Sequence, residues 1–138
     1  MENTRITIQT IIKKNISQVW KLWTEAEHIV HWNFASDDWH CPAAKNDLQV
    51  GGKFVYTMSA KDGSFSFDFS GNYIKIVPLK HIEITLDDNR KVWIDFIEQG
   101  NQTSIIEKFE AETENSVELQ ETGWQMILNN FKKYAESI

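Results

Sequence analysis

Residues 4–12 alternate between polar and apolar, with Ile6 and Ile8 apolar and Ile11 and Ile12 closing the run. A period of two predicts a β-strand. The period then changes. Ile16, Val19, Trp20 and Trp23 fall at helical spacing, and Asn15 stands where an N-cap belongs, with Gln18 three residues on. A second short helix is expected over residues 25–31. Residues 34–47 show no clean period and hold Asp37, Asp38, Trp39, His40, Cys41 and Pro42. They read as an ordered loop, because a flexible linker does not carry aromatics.

A run of strands follows. Residues 48–60 place Phe54, Tyr56 and Met58 on one face, after a Gly51-Gly52 pair suited to a bend. Asp62-Gly63 is a hairpin signal. Residues 64–77 place Phe65, Phe67, Phe69, Gly71 and Tyr73 together, and Pro78 ends the run. Ile82, Ile84 and Leu86 share a face in residues 81–86, and Val92, Ile94 and Phe96 do so after the turn at Asp87, Asp88 and Asn89. Gly100-Asn101 turns the chain again, and residues 103–111 align Ile105, Glu107 and Phe109. The last segment is helical. Asn115 is its expected N-cap, with Glu118 at the capping-box position, and Val117, Trp124, Ile127, Leu128, Phe131 and Tyr134 form one stripe.

Hairpin-sized turns make the strands a meander, and a sheet with one apolar face has to cover it. Only the last helix, roughly 30 Å long, reaches across a whole sheet. The fold expected is therefore α+β: a curved antiparallel sheet wrapped around a long C-terminal helix, with two short helices after the first strand. With 138 residues, one domain spanning 1–138 is expected. A twisted sheet curls and a helix stays straight, so a gap is expected between them. The candidate ligand-binding residues facing it are Phe54, Tyr56, Met58, Phe67, Phe69, Tyr73, Ile94, Glu107, Phe109, Trp124 and Leu128. Whether side chains fill that gap or leave it hollow is not legible at this level.

The segments VWKLWTEAEHIVHWN, DLQVGGKFVYTM, FDFSGNYIKIVP and ETGWQMILNNFKKY together resemble the START-like, or SRPBCC, superfamily. Within it they are similar to the branch named after the C-terminal domain of the activator of the ninety-kilodalton heat-shock chaperone ATPase. The resemblance covers nearly the whole chain. It implies a helix-grip fold and a cavity of the kind that accepts lipids, sterols, polyketides or other apolar molecules. It implies no single reaction. The co-chaperone role in the family's name is expected to transfer poorly, because Met1 leads almost directly into the first strand.

Charge narrows the partners. A net charge of −6 disfavours phosphate backbones and anionic membrane surfaces, so no nucleic acid and no membrane are expected. No apolar run is long enough to span a bilayer, the N-terminus does not read as a signal peptide, and the single cysteine, Cys41, cannot form an internal disulfide. These features point to a reducing cytoplasm. An aromatic share of 12% means either an aromatic core or an aromatic-lined cavity.

Glu107 is the most informative polar residue. On an apolar face its carboxyl is desolvated and its pKa rises. Such a group can bind a ligand hydroxyl or act as a general acid or base. The plainer alternatives are an ion pair or a bulge that turns it outward. Trp39 and His40 are candidates for a lid, with Trp39 over the pocket and His40 offering a hydrogen bond. Adjacent residues on an extended chain point opposite ways, so His40 and Cys41 do not form a catalytic pair. Trp32 is read as an anchor that also forms part of the pocket wall. His28, His31, His40, Asp37 and Asp38 are read as solvated residues rather than a zinc site, since their spacing is loose. Trp93 with Ile74 and Ile76 forms a possible outer apolar patch, consistent with a monomer or weak homodimer. The leading expectation is a cofactor-free binding protein for an apolar or aromatic small molecule. The alternatives are a cyclase- or dehydratase-type enzyme and a co-chaperone-like interaction module.

Overall fold

Among the described residues, period-two patterning underlies six of seven strands, and period-3.6 patterning underlies the longer helices. The computed structural model describes residues 4–138. The order is β1 (Arg5–Ile12), α1 (Ile16–Thr24), α2 (Ala26–Ile29), β2 (Trp39–Asn46), β3 (Lys53–Ala60), β4 (Ser66–Val77), β5 (His81–Leu86), β6 (Lys91–Gln99), β7 (Gln102–Glu110) and α3 (Val117–Glu136). The strands form one antiparallel sheet in the order β1-β7-β6-β5-β4-β3-β2, so the first strand closes against the last. This is the α+β helix-grip architecture, with two short helices between β1 and β2.

Local chemistry explains most boundaries. Asn15 caps α1 by accepting a hydrogen bond from the Gln18 backbone N–H at 2.9 Å. Gly51 turns the chain into β3 at φ +86°, a region that favours glycine. Gly71 sits where β4 crosses Phe54. A Cβ there would lie 2.6 Å from the Thr85 carbonyl oxygen and 3.1 Å from the Phe54 ring, so only glycine lets the strands approach this closely.

Three expectations need correction. Residues 34–47 are not all loop, because residues 39–46 form the edge strand β2. A register shift between His40 and Ala43 takes Cys41 and Pro42 out of the ladder, which erases the alternation a strand would show. The N-cap of α3 is Ser116, whose hydroxyl accepts from the Leu119 N–H at 3.1 Å, not Asn115. Val117 is 41% exposed, so the buried stripe of α3 starts later, at Gln120 and Trp124.

One end of the interior is solid. Ile12, Val19, Ile29, Ile105, Phe131 and Ala135 are shut from water. Trp23 packs on Trp32, Phe96 and Phe131 at ring separations of 4.9, 5.7 and 4.9 Å, and the Trp32 indole donates to the Leu22 carbonyl at 3.0 Å. His28 Nδ1 lies 2.8 Å from the Tyr134 hydroxyl and the His31 ring stacks on Tyr134, which ties the α2 region to the end of α3. On the outer face of the sheet the Arg5 guanidinium lies 4.9 Å above the Trp93 ring, so Trp93 is partly covered while Ile74 stays exposed.

The cap assignment is testable by denaturant unfolding. Ser116→Ala should lose about 1 kcal/mol of stability, whereas Asn115→Ala should change it by less than about 0.5 kcal/mol. The reverse order would place the cap one residue earlier.

Candidate functional site

α3 makes its close backbone contacts with β1 and α1 and stands away from β3, β4 and β5. The space so left is a cavity of about 610 Å³. That is roughly four times the volume of about 150 Å³ that holds a benzene, and it falls inside the range typical of ligand sites. The packed cluster of Trp23, Trp32 and Phe131 bounds it at one end. At the other end Trp124 lies flat on Phe109, with ring centroids 3.8 Å apart, and meets the edge of Phe69 at 5.7 Å.

Eleven of the candidate residues line this space: Trp32, Phe54, Tyr56, Met58, Phe67, Phe69, Tyr73, Ile94, Glu107, Trp124 and Leu128. Phe109, Trp39 and His40 stand outside the lining. Phe109 is fully buried behind Trp124, so it supports the wall without forming its surface. Trp39 packs against the lining residues Phe65 and Phe67 at 6.1 and 5.9 Å. His40 pairs with Ser59 across the β2–β3 edge. The lining also takes in Trp23, Asn33, Ile82, Ile84, Arg90, Val92, Glu112, Glu114, Asn115, Gln120 and Ile127, together with Phe65. Strand alternation carried a signal for Ile82, Ile84 and Val92. Arg90, Glu112, Glu114 and Asn115 sit in turns, and no period reports which way a turn faces.

Two phenols, Tyr56 and Tyr73, are among the polar groups of the lining. The Tyr73 hydroxyl donates to Asn46 Oδ1 at 2.5 Å, and Asn46 Nδ2 donates to the Thr24 carbonyl at the end of α1. Burial pushes the Tyr56 phenol well above its ordinary pKa, and the nearby Tyr73 adds to this. Burial also raises Tyr73. Both rings therefore stay neutral donors at physiological pH. Asn33 Nδ2 is buried without a hydrogen-bond partner among the described residues and lies beside the Cys41 thiol. Burial raises the pKa of that thiol, which donates weakly to the Ala43 carbonyl at 3.4 Å. A protonated thiol engaged in this way is a poor nucleophile.

Glu107 lies mid-strand on β7, opposite Ile8 on β1 and Ile94 on β6. It is 8% exposed, and no side-chain hydrogen bond or ion pair reaches its carboxyl among the described residues. Burial alone lifts its pKa to about 8. At neutral pH it is a carboxylic acid with its proton on, facing an apolar space.

Among the described residues, Glu25, Glu27 and His28 are the group spaced closely enough for a shared cation. They lie near the protein surface, and His28 is already engaged by Tyr134. Among the described residues, no helix is long and apolar enough to cross a membrane.

A curled antiparallel sheet gripping a terminal helix across a lined cavity defines the helix-grip class of proteins. The family model described as "Activator of Hsp90 ATPase homolog 1-like protein" matches residues 13–136, and the chain belongs to this family. The solution structure of an AHSA1-like protein from Aeromonas hydrophila is 40% identical, with a TM-score of 0.92 over 97% of this chain and 93% of that one. A solution structure from Cytophaga hutchinsonii is 50% identical, with a TM-score of 0.83 over 96% of this chain and 92% of that one. A crystal structure from Chromobacterium violaceum, 18% identical, shares the fold with a TM-score of 0.85 over 96% of this chain and 98% of that one. No match was found among curated proteins.

The unpaired acid makes stability pH-dependent. In the unfolded chain the Glu107 carboxyl ionises near its ordinary 4.5, and in the folded chain near 8. Below pH 4.5 both states hold the proton, so the burden is absent there. From pH 4.5 to 8 the unfolded chain releases a proton that the folded chain retains, and the native state loses stability across that window. Urea unfolding at pH 5 and pH 8 should therefore show wild type losing roughly 3–4 kcal/mol more than Glu107→Gln over that interval. Parallel losses in the two proteins would mean that the carboxyl is not desolvated.

Proposed function

We propose that this chain binds an apolar or aromatic small molecule, lipid-like or polyketide-like in character, in the cavity between sheet and α3. The observation that carries this is the hollow itself, about 610 Å³ walled by aromatic and aliphatic side chains. An interior of this kind is costly to leave empty, because protein cores otherwise pack to crystal density. Burying on the order of 300 Å² of an aromatic guest contributes about 7 kcal/mol before the costs of immobilisation, which leaves binding near the millimolar range once part is lost. Tyr56, Tyr73 and Glu107 are the groups that orient the guest. Superfamily likeness adds support, since helix-grip cavities commonly take hydrophobic ligands. Binding is favoured over catalysis because the cavity presents one unpaired acid instead of a converging acid–base pair.

The test fills the cavity. Ile94→Phe projects extra volume into the space and should leave the melting temperature within a few degrees of wild type, because the added ring meets a void. The same change should weaken binding of naphthylmethanol, measured by titration calorimetry, at least about tenfold. Unchanged affinity in the filled variant, or no binding to wild type, would overturn the proposal.

A further inference from the structure

We propose that the natural guest carries a protonated amine on its aromatic or alkyl body, and that the Glu107 carboxyl receives it. This rests on the binding function above and names the chemistry of its ligand. The first observation is the missing partner. Glu107 is more than nine-tenths buried, its strand neighbours Ile8 and Ile94 are apolar, and no described side chain bonds its carboxyl. A buried carboxyl without a partner is a deficit, and the partner that offsets it best is a cation with N–H donors.

The second observation is the sign of the charge around the cavity. Glu107, Glu112 and Glu114 line it, against one cation, Arg90. Arg90 is already held by Asp88 at 2.7 Å, and its guanidinium reaches the Glu110 carbonyl at 3.4 Å. An anionic guest would therefore meet three carboxyl groups and no unengaged cation among the described lining residues. A cationic guest is attracted by the acidic residues of the lining. The third observation is the wall. Trp23, Trp32, Phe54, Tyr56, Phe69 and Trp124 present rings to the space, and ring faces attract ammonium groups.

Binding of the amine displaces a proton. Free Glu107 holds one at pH 7, and an ammonium partner stabilises the ionised carboxylate, so the proton leaves to solvent as the guest enters. The other titratable groups facing the cavity do not obscure this exchange. Tyr56 on β3 and Tyr73 on β4 stay neutral, and the Arg90 guanidinium, in the β5–β6 turn, is engaged by Asp88. Before α3, Glu112 is held ionised by backbone N–H donors from Asn115 and Glu114, and Glu114 is exposed. The parts of α1, β5, β6 and α3 that line the cavity contribute no titratable side chain.

The experiment compares naphthylmethylamine, naphthylmethanol and naphthoate on the full chain by calorimetry in buffers of different ionisation enthalpy. The amine should bind tightest and release close to one proton at pH 7, with affinity rising roughly 50-fold from pH 6 to pH 8 as Glu107 ionises. Glu107→Gln should abolish both the proton release and the rise in amine affinity between pH 6 and pH 8, and weaken the amine at least tenfold at pH 8. Alcohol bound as tightly as amine, with no proton released by either, would overturn the amine assignment and leave the binding function standing. Failure of all three to bind would overturn both. Because proton release is read on wild type, a variant that failed to fold would not rescue the proposal.

Discussion

The structure depends on a mismatch of shapes. Seven antiparallel strands, each turned from its neighbour by roughly 20–25°, swing the far edge of the sheet through more than a right angle from β1. A helix of 20 residues cannot follow that path. α3 therefore seats where it can, against β1 and α1, and leaves β3 to β5 uncovered from above. Where helix and sheet meet, the interior is filled by Phe131, Ile105 and the two tryptophans of the α1–α2 region. Where they diverge, Trp124 of α3 reaches Phe69 of β4 at one end, and the cavity is the space left between.

That geometry also explains the electrostatics. Glu107 is held by an ordinary ladder register between Ile8 and Ile94, so its side chain has no choice of face. A carboxyl at a packed sheet–helix contact would have forced an ion pair or been excluded. Over a cavity it is tolerated, because the space accepts the group without supplying a partner. The raised pKa, the pH-dependent stability and the affinity for an ammonium group are thus three consequences of one placement. Glu112 and Glu114, in the segment before α3, add further carboxyl groups to the lining.

Much of this was legible in the residues. The strand alternation that put Glu107 with Ile105 and Phe109 is a strict consequence of the pleat, and it held in every register from β3 to β7 except at the shift after Tyr73. The family likeness agreed with the fold because both reflect the same spacing of turns and apolar faces. What failed did so where the period breaks. Residues 39–46 hid a strand because the irregularity at Cys41 and Pro42 destroys alternation. Trp39 and His40 lie on that edge strand, outside the lining, with Trp39 packed on the lining residues Phe65 and Phe67. Phe109 faces inward as its register requires, but the flat stack of Trp124 covers it, and a stack between distant elements leaves no trace in either element's own pattern. Hollowness itself is a property of the distance between backbones, which no residue pattern encodes.

An interior that is open and takes a guest has a spectroscopic signature. Methyl-resolved NMR of the isoleucine- and leucine-labelled protein, titrated with naphthalene, tests it most directly. The methyl signals of Ile82, Ile84, Ile94 and Leu128 around the cavity should shift together with one saturation curve, while those of the exposed Ile11, Ile74 and Ile97 stay fixed. Fixed cavity methyls, or shifts confined to the exposed set, would show a closed interior and contradict the account.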